Sequence, residues 1–439
     1  MSVQQYLKGS TAVKIAASAE AAVARGLIAG GSRLPAVRVL AAVLHVSPAT
    51  AAAAYRILQE RGIVISDGRR GTIIRLTSPA APPAPAPLPP NVHDLASGNP
   101  SGALLPGLGP FLKKLPGEPR LYRDDLNDAT LVTLAKKQFA SDNVPAGSVA
   151  IVSGALDGIE RVLREQLRPG DRVLVEDPCF TGVADLLNSL SLIAVPVALD
   201  DEGLLPAALQ HAPVADALIV TPRAQNPTGA AFSERRAKAL RTILRHRPDL
   251  LLIEDDHAGL VAGAPYITLV EKSRARWAVV RSMSKSLGPD LRVAIMAGDA
   301  QTIARVEGRQ ALGIRWVSHI LQGLVAKLLV DARVRKLLAR AERTYARRRR
   351  AVIEALKSHA IDARGASGLN VWIPLQEESA IVQALFRRRW AVTAGERYRI
   401  QSAPGVRVTI ASLEPEDAVR FAADLADVLR PARRSAAGA

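Results

Sequence analysis

The segment SMSKSLGPDLR, residues 282–292, sets one amine among hydroxyls and ahead of a guanidinium. A lysine at the end of a strand, here Lys285, can attack an aldehyde and form a Schiff base. It must be at least partly neutral to do so, and burial near Arg292 favours neutrality by disfavouring a second positive charge. Ser282, Ser284 and Arg292 can together hold a phosphate dianion, the arginine through paired hydrogen bonds. A second anion-binding element stands upstream in SGALDG, residues 153–158, which joins a strand-like run to a helical one. The backbone N–H groups of Gly154, Ala155 and Leu156 at that helix start suit a phosphate.

These groups need a scaffold that gathers strand ends. After residue 93 the runs VAIVSG, DRVLVED, ADALIVTP, DLLLIEDD, WAVVRSM and RVAIMAG alternate with helical patterns. The alternation predicts a mainly parallel sheet covered on both faces. In open α/β sheets ligands sit at the carboxyl ends of the strands. The motifs EDPCF, NPTG and EDDH, which carry Phe180, Asn226, Asp255 and His257, fall at such ends. Residues 313–359 read as mostly helical, and GLNVWIPL onward as a smaller α+β subdomain. Cys179 is expected to be a small buried residue, and no metal site is expected.

The stretch TSPAAPPAPAPLPPN is rich in proline and alanine and free of charge. Residues 77–92 therefore read as a semi-rigid linker that spans about 50 Å at ~3.1 Å per residue. Before it, residues 12–28, 36–44 and 48–61 predict three helices, the first ending near Gly30-Gly31. Ser47 is a natural N-cap and Pro48 suits the first helical position. A tight turn through His45-Val46 joins the second helix to the third. GIVISDGRRGTIIRL then predicts a hairpin with Arg69, Arg70 and Gly71 at its turn. Residues 1–76 carry ten Lys/Arg against three Asp/Glu, in a chain whose formal net charge is +17. Dense positive charge on a helix–turn–helix with a basic hairpin points to a polyanion, with phosphate contacts giving affinity and an exposed helix start reaching base edges. The third helix, PATAAAAY, offers few polar side chains, so base selection is expected to lean on DNA shape.

The N-terminal segment resembles the GntR-type winged helix-turn-helix. The matching elements are Leu34-Pro35, Arg38, Leu40-Ala41, Val46-Ser47, Thr50, Ala54-Tyr55, Leu58, Gly62 and Gly71-Thr72. The resemblance implies that Arg33, Arg38, Ser47, Ala49 and Thr50 face DNA and that Arg69, Arg70 and Gly71 form the wing contact. The pattern Ser-x-Ser-Lys-x-x-x-Pro-x-x-Arg resembles the pyridoxal-phosphate lysine segment of fold-type-I aminotransferases. It implies pyridoxal 5'-phosphate as cofactor, bonded through Lys285, with Ser282, Ser284, Arg292 and the Gly154-Ala155-Leu156 turn at its phosphate. By the same resemblance Phe180 stacks on the pyridine ring, Asn226 bonds the phenolic oxygen, Asp255 pairs with the pyridinium nitrogen, and Arg407 clamps the α-carboxylate of an amino compound. The chain departs from the family at His257, where a tyrosine is usual; a histidine can also donate to the phenolic oxygen. It departs again after Leu121-Tyr122, where the usual Gly-x-x-x-Gly is missing, so no phosphate contact is assigned to Tyr122.

A GntR-type reader joined by a linker to an aminotransferase-like domain resembles the MocR subfamily of regulators. The resemblance implies a multidomain chain: a winged helix-turn-helix at 1–76, a linker at 77–92, and an α/β fold-type-I transferase-like domain at 93–435 with a small C-terminal α+β subdomain. It implies a transcription regulator that binds double-stranded DNA as a homodimer, head-to-tail with exchanged DNA-binding domains. Pyridoxal phosphate and an amino compound would be its effectors, with weak transamination at most. Two alternatives stay open: an active aminotransferase carrying a DNA-binding domain, and a regulator whose second domain only dimerises. The run Arg347–Arg350 is expected to be a solvated helical face, with a DNA contact as the alternative. Apolar runs fall short of the ~18–20 residues of a membrane helix. The segment MSVQQYLKGS lacks a signal-peptide pattern and a lone cysteine forms no internal disulfide, so the cytoplasm is the expected compartment.

Overall fold

In a computed structural model of the chain, Thr11 opens the first helix, α1 (Ala12–Ala24), by accepting the backbone N–H of Lys14. The structure describes residues 3–25, 27–60, 63–66, 71–74, 87–118, 120–122 and 124–430. Helix α1 ends before the expected residue 28. Leu27 and Ile28 both turn their N–H groups back to the Ala22 carbonyl, at 2.9 and 3.4 Å. Ile28 thereby leaves the helical path and buries its side chain.

Helices α2 (Val37–Leu44) and α3 (Pro48–Glu60) meet at His45, which takes the left-handed conformation with φ 53°. Ser47 caps α3: its Oγ accepts the Thr50 N–H at 3.0 Å and lies 2.9 Å from the Thr50 hydroxyl. The Tyr55 hydroxyl donates to the Pro35 carbonyl at 2.7 Å, tying α3 to the entry of α2. Strands β1 (Val64–Ser66) and β2 (Thr72–Ile74) pair antiparallel as the predicted hairpin. Residues 31–34 run beside β2, with Leu34 N–H on the Thr72 carbonyl and Ile74 N–H on the Ser32 carbonyl. Ile15, Ala19, Leu40, Ala51, Ala54, Leu58 and Ile74 form one aliphatic core. Arg69, Arg70 and linker residues 77–86 lie outside the described residues.

The second part of the chain runs β3 (His93–Asp94), α4 (Gly109–Leu112), α5 (Ala129–Ser141), β4 (Ser148–Val152), α6 (Ala155–Gln166), β5 (Arg172–Asp177), α7 (Thr181–Ser189), β6 (Ile193–Asp200), β7 (Gly203–Leu204), α8 (Pro206–His211), β8 (Ala217–Val220) and α9 (Glu234–Arg245). It continues with β9 (Leu251–Asp256), β10 (Trp277–Ser282), α10 (Ser284–Leu287), β11 (Ala294–Gly298), α11 (Ala300–Ala311), α12 (His319–Val330) and α13 (Ala332–Lys357). Eight strands form one sheet in the order β4-β11-β10-β9-β8-β5-β6-β7. Strands β5, β8, β9 and β10 are mutually parallel, while β11 runs antiparallel to both its neighbours, β10 and β4. All six predicted strand runs are present. The sequence reading misses β6, which is only partly buried and carries Pro196; its broken apolar pattern and proline hide it from a search for continuous apolar runs.

The C-terminal elements are β12 (Asn370–Pro374), α14 (Glu378–Arg387), β13 (Trp390–Ala391), β14 (Thr393–Ala394), β15 (Gly405–Thr409) and α15 (Pro415–Leu429). Strands β12, β15 and β14 make a small sheet of their own, the expected α+β subdomain. The chain divides into two compact units, one of Met1–Ala86, Leu167–Asp171 and Asp185–Ile193, the other of the remainder. Among the described residues no single helix is long and apolar enough to cross a membrane.

The run Arg347–Arg350 corrects its expectation. Arg348 and Arg349 are buried: Arg348 bonds the Ala411 carbonyl and Glu414, and Arg349 donates to the carbonyls of Gly368 (2.8 Å) and Ala366 (3.0 Å). Four successive residues of a helix face every side, so only Arg347 and Arg350 reach solvent.

Asp177, at the end of β5, is buried and accepts the N–H groups of Ile400, Gln401 and Ser402 at 2.9, 2.7 and 2.8 Å, and the Ser402 hydroxyl at 2.9 Å. Asp177→Ala removes a buried carboxylate that accepts four hydrogen bonds from a partly exposed turn and is expected to cost about 1–3 kcal/mol in urea unfolding. Arg164→Ala, which removes an exposed pair with Glu160 at 2.7 Å, is expected to cost under about 0.5 kcal/mol. Equal losses would contradict the role given to Asp177.

Candidate functional site

The carboxyl ends of β4, β5, β8, β9 and β10 converge on a cavity of about 240 Å³ in the second unit. Of the residues singled out from the sequence, Ala155, Leu156, Phe180, Asn226, Asp255, His257, Ser282, Ser284, Lys285, Arg292 and Arg407 line it. Gly154 stands behind them with φ +105°, and a Cβ there would lie 2.7 Å from the Arg292 guanidinium. Glycine is therefore required for the arginine to close on the turn. Helix α6 begins at Ala155, so the first N–H groups of this 12-residue helix have no partner within it. Arg292 Nη2 donates to the Ser153 carbonyl at 3.4 Å, and the Ser284 N–H donates to the Ser282 hydroxyl at 3.2 Å. Phe180 owes its position to Gly182, where a Cβ would meet the ring at 2.6 Å.

Lys285 Nζ donates to the Gly98 carbonyl at 2.6 Å. Burial, with the Arg407 charge behind it, pushes its amine down to about 8. The two aspartates of EDDH face opposite sides of β9, as strand alternation requires. Burial works against charge on Asp256, yet Arg281 and Arg223 hold its carboxyl well below the usual range. Arg223 bonds both its oxygens at 2.9 Å, and Arg281 adds a bond at 2.5 Å. Asp255 has no such counterion among the described residues. Burial pushes it up to about 7, with the charges of Asp256 and Glu176 adding to the shift. Its Oδ1 has no hydrogen-bond partner. Buried acceptors are almost always paired, so the pocket is short of one donor at this atom.

His257 is close to the expected place, with its donor already engaged. Its Nε2 lies 2.7 Å from the Ala224 carbonyl, which only accepts, so the bond requires the proton on Nε2. Burial and the Lys285 charge push the ring down to about 4, leaving it neutral near pH 7. The neutral ring then keeps Nδ1 as an acceptor, which corrects the expectation of a donor to a phenolic oxygen.

Arg407 is buried and stacks on Tyr398, with 5.0 Å from guanidinium carbon to ring centre. It bonds the Ala96 carbonyl and lies 3.3 Å from both Thr393 Oγ1 and Asn226 Oδ1, while its Nε is unpaired. It has no ion-pair partner among the described residues. The Asn226 oxygen also receives Asn370 Nδ2 at 3.3 Å, which leaves the Asn226 amide hydrogens for another acceptor. The sequence reading misses Ser97, Gly98, Leu369 and Asn370, which also line the cavity. Gly98, with φ +69°, is followed by Asn99-Pro100, a turn signal that could have flagged it.

In the first unit Arg33, Arg38, Ser47, Ala49 and Gly71 are exposed, and Thr50 is half-buried. Arg33 pairs through its backbone with Ile73 beside the wing.

The family model for aminotransferases of class I and II matches residues 125–425, and that for bacterial regulatory proteins of the gntR family matches residues 11–74. The chain belongs to the MocR-type regulators, in which a GntR DNA-binding domain precedes an aminotransferase-like domain. It is 39% identical over 429 residues to the vitamin B6 salvage pathway transcriptional repressor PtsJ of Salmonella typhimurium, covering 96% of this chain and 99% of the relative. It is 27% identical to the HTH-type transcriptional regulator TauR of Rhodobacter capsulatus, over 79% of this chain and 80% of that one. In fold it is similar to the α-aminoadipate aminotransferase LysN of Thermus thermophilus, with TM-score 0.69 and 21% identity over 77% of this chain and 92% of that chain.

The lowered amine can be read directly. Competitive acylation of the full chain across a pH series should show Lys285 reaching half its limiting reactivity near pH 8, since the protonated amine does not react. Arg407→Gln should move that midpoint upward, because one neighbouring positive charge is gone. A Lys285 midpoint at the ordinary 10.5 would contradict the pocket's electrostatics.

Proposed function

We propose that this chain is a transcription regulator that senses pyridoxal 5'-phosphate in its aminotransferase-like domain and reads duplex DNA with its winged helix-turn-helix. The observation that carries the proposal is the set of uncompensated groups in one pocket: a carboxylate oxygen without a donor at Asp255, a guanidinium without a carboxylate at Arg407, and a lowered amine at Lys285. Pyridoxal phosphate fits this donor set. Its ring N–H would supply Asp255 with the missing partner, and that carboxylate would hold the ring proton in place. The N–H groups of Gly154, Ala155 and Leu156, the hydroxyls of Ser282 and Ser284, and Arg292 would hold the phosphate. Phe180 would cover the ring, the Asn226 amide would donate to the phenolic oxygen, and Lys285 would present its amine to the aldehyde. When bound, the cofactor supplies an electrophilic aldehyde conjugated to an electron-accepting ring. Arg407 would receive the carboxylate of an amino-compound effector. The Nε2 proton of His257 is engaged by the Ala224 carbonyl, and this favours sensing over turnover, because the donor usual at that position is missing. The likeness to a repressor of vitamin B6 salvage supports vitamin B6 as the signal.

On the DNA side, Arg33 and Arg38 would bind phosphates, with Ser47, Ala49 and Thr50 at the groove and Arg69, Arg70 and Gly71 in the wing. Ser47 and Thr50 already bond each other, so much of the readout falls to shape. We take 1–76, 77–92 and 93–435 as reader, linker and sensor, acting in the cytoplasm as a head-to-tail homodimer. The dimer is supported by exposed apolar side chains, Leu121, Tyr122, Leu312 and Ile320, each more than half exposed, with Trp316 against Tyr122 at 5.7 Å.

Duplexes recovered from sheared genomic DNA on the wild-type protein provide the probe. Pyridoxal phosphate is expected to change wild-type affinity for a recovered duplex by about fivefold or more, and to leave Lys285→Ala unresponsive. Equal responses in both proteins would remove Lys285 from the signal, and no response in either would leave the second domain as a dimerisation module.

A further inference from the structure

Helix α13 is amphipathic in an unusual way. Its inner face carries the buried Val334, Leu338, Ala341, Tyr345, Val352 and Leu356. Two positions out of phase with these stand Lys336, Arg340, Arg343, Arg347 and Arg350, all exposed. Their spacing of four, three, four and three residues keeps them on one face of the helix. From Arg340 to Arg350 the stripe covers about 15 Å at 1.5 Å per residue.

Four of these arginines line a groove of about 700 Å³ together with Ser101, Leu104 and Glu414. No ion pair joins Arg340, Arg343, Arg347 or Arg350 to a carboxylate among the described residues. The only acidic residue lining the groove, Glu414, is already bonded to the buried Arg348. Several exposed arginines elsewhere are paired, Arg245 with Glu271, Arg333 with Asp331, Arg388 with Asp424 and Arg420 with Asp417. Exposed arginines without an ion pair among the described residues, such as Arg305 and Arg315, also occur, but the stripe sets four of them on one helix face. Four unpaired guanidinium groups in a row repel one another, and a polyanion relieves that repulsion.

We propose that this stripe is a second, sequence-independent DNA-binding surface, taking the phosphates of a duplex. The proposal rests on the reading that the chain binds duplex DNA. The charge match is with a backbone: a duplex carries one phosphate charge per ~1.7 Å of axis, so a 15 Å stripe faces several phosphates at once. Arginine suits this role through its paired donors to phosphate oxygens. The groove offers no deep apolar anchor of the kind a protein partner's hot spot needs. The stripe would raise affinity for long duplexes over short ones, with no preference for sequence.

The test uses the full-length protein, scrambled duplexes of about 20 and about 60 base pairs, and fluorescence anisotropy from about 50 to about 200 mM KCl. The variant carries Arg340→Gln, Arg343→Gln, Arg347→Gln and Arg350→Gln. A control with equal charge loss carries Lys136→Gln, Lys238→Gln, Lys272→Gln and Arg305→Gln, exposed residues drawn from four other segments. The stripe variant is expected to bind the longer duplex about tenfold more weakly, with a log–log salt slope shallower by about 3, at ~0.9 for each phosphate no longer neutralised. The control is expected to lose less than one unit of slope, and Arg343→Gln alone about one. Thermal melts matching wild type establish folding, and the single variant serves if the fourfold one does not fold. A stripe variant indistinguishable from the control overturns the proposal and leaves an acidic protein as the surface's partner. Arg38→Ala separates the two readings. If it weakens binding while the stripe variant does not, only the stripe fails; if wild type binds neither duplex at the lowest salt, DNA binding fails with it.

Discussion

Asp255 and Asp256 are neighbours in sequence and point to opposite sides of β9. Asp256 is pinned by Arg223 and Arg281 and stays charged; Asp255 is buried with an unpaired oxygen and sits near neutrality. A charged group buried without a counterion costs several kcal/mol, so such a group either neutralises or awaits a partner. The surrounding fold holds that situation in place. Parallel strands bring Phe180, Asn226 and Lys285 to the same end, Gly154 admits Arg292, and the segment at Gly98 closes over the lysine. That is the arrangement proposed to take a cationic ring with an anionic tail.

Much of this arrangement was legible in the sequence because strand ends and motifs coincide. SMSKSLGPDLR, SGALDG, NPTG and EDDH each follow an apolar run, and the α/β sheet brings those ends together. The winged helix-turn-helix was legible for a similar reason: Ser47-Pro48 fixes a helix start and the β-branched runs fix the hairpin. What the sequence hid depends on contacts far apart in the chain. Gly98 and Asn370 reach the cavity from the segment before α4 and from β12. The tautomer of His257 depends on a carbonyl 33 residues away. The split of Arg347–Arg350 into two buried and two exposed residues depends on what α13 packs against.

His257 alters the chemistry more than the fold. A neutral ring whose proton is engaged by Ala224 places no donor where an aminotransferase usually has one. In the proposed reading, cofactor capture would rest on Lys285, Asp255 and the groups assigned to the phosphate, and none of those departs from the pattern the chain resembles. If the proposed reading holds, a site that binds the ligand and turns it over slowly would suit a sensor, since the bound state would persist long enough to bias a slower event such as DNA binding.

The central claim is that Asp255 is the ring-nitrogen partner of bound pyridoxal phosphate. Its most direct test is equilibrium dialysis with absorption spectra of wild type and Asp255→Ala, both full-length, against pyridoxal phosphate. Losing a charge-assisted hydrogen bond of about 1.5–3 kcal/mol should weaken binding by about tenfold or more and shift the absorption band, because the ring nitrogen loses the carboxylate that keeps it protonated. An Asp255→Ala protein that binds as tightly as wild type, with an identical spectrum, would contradict the account.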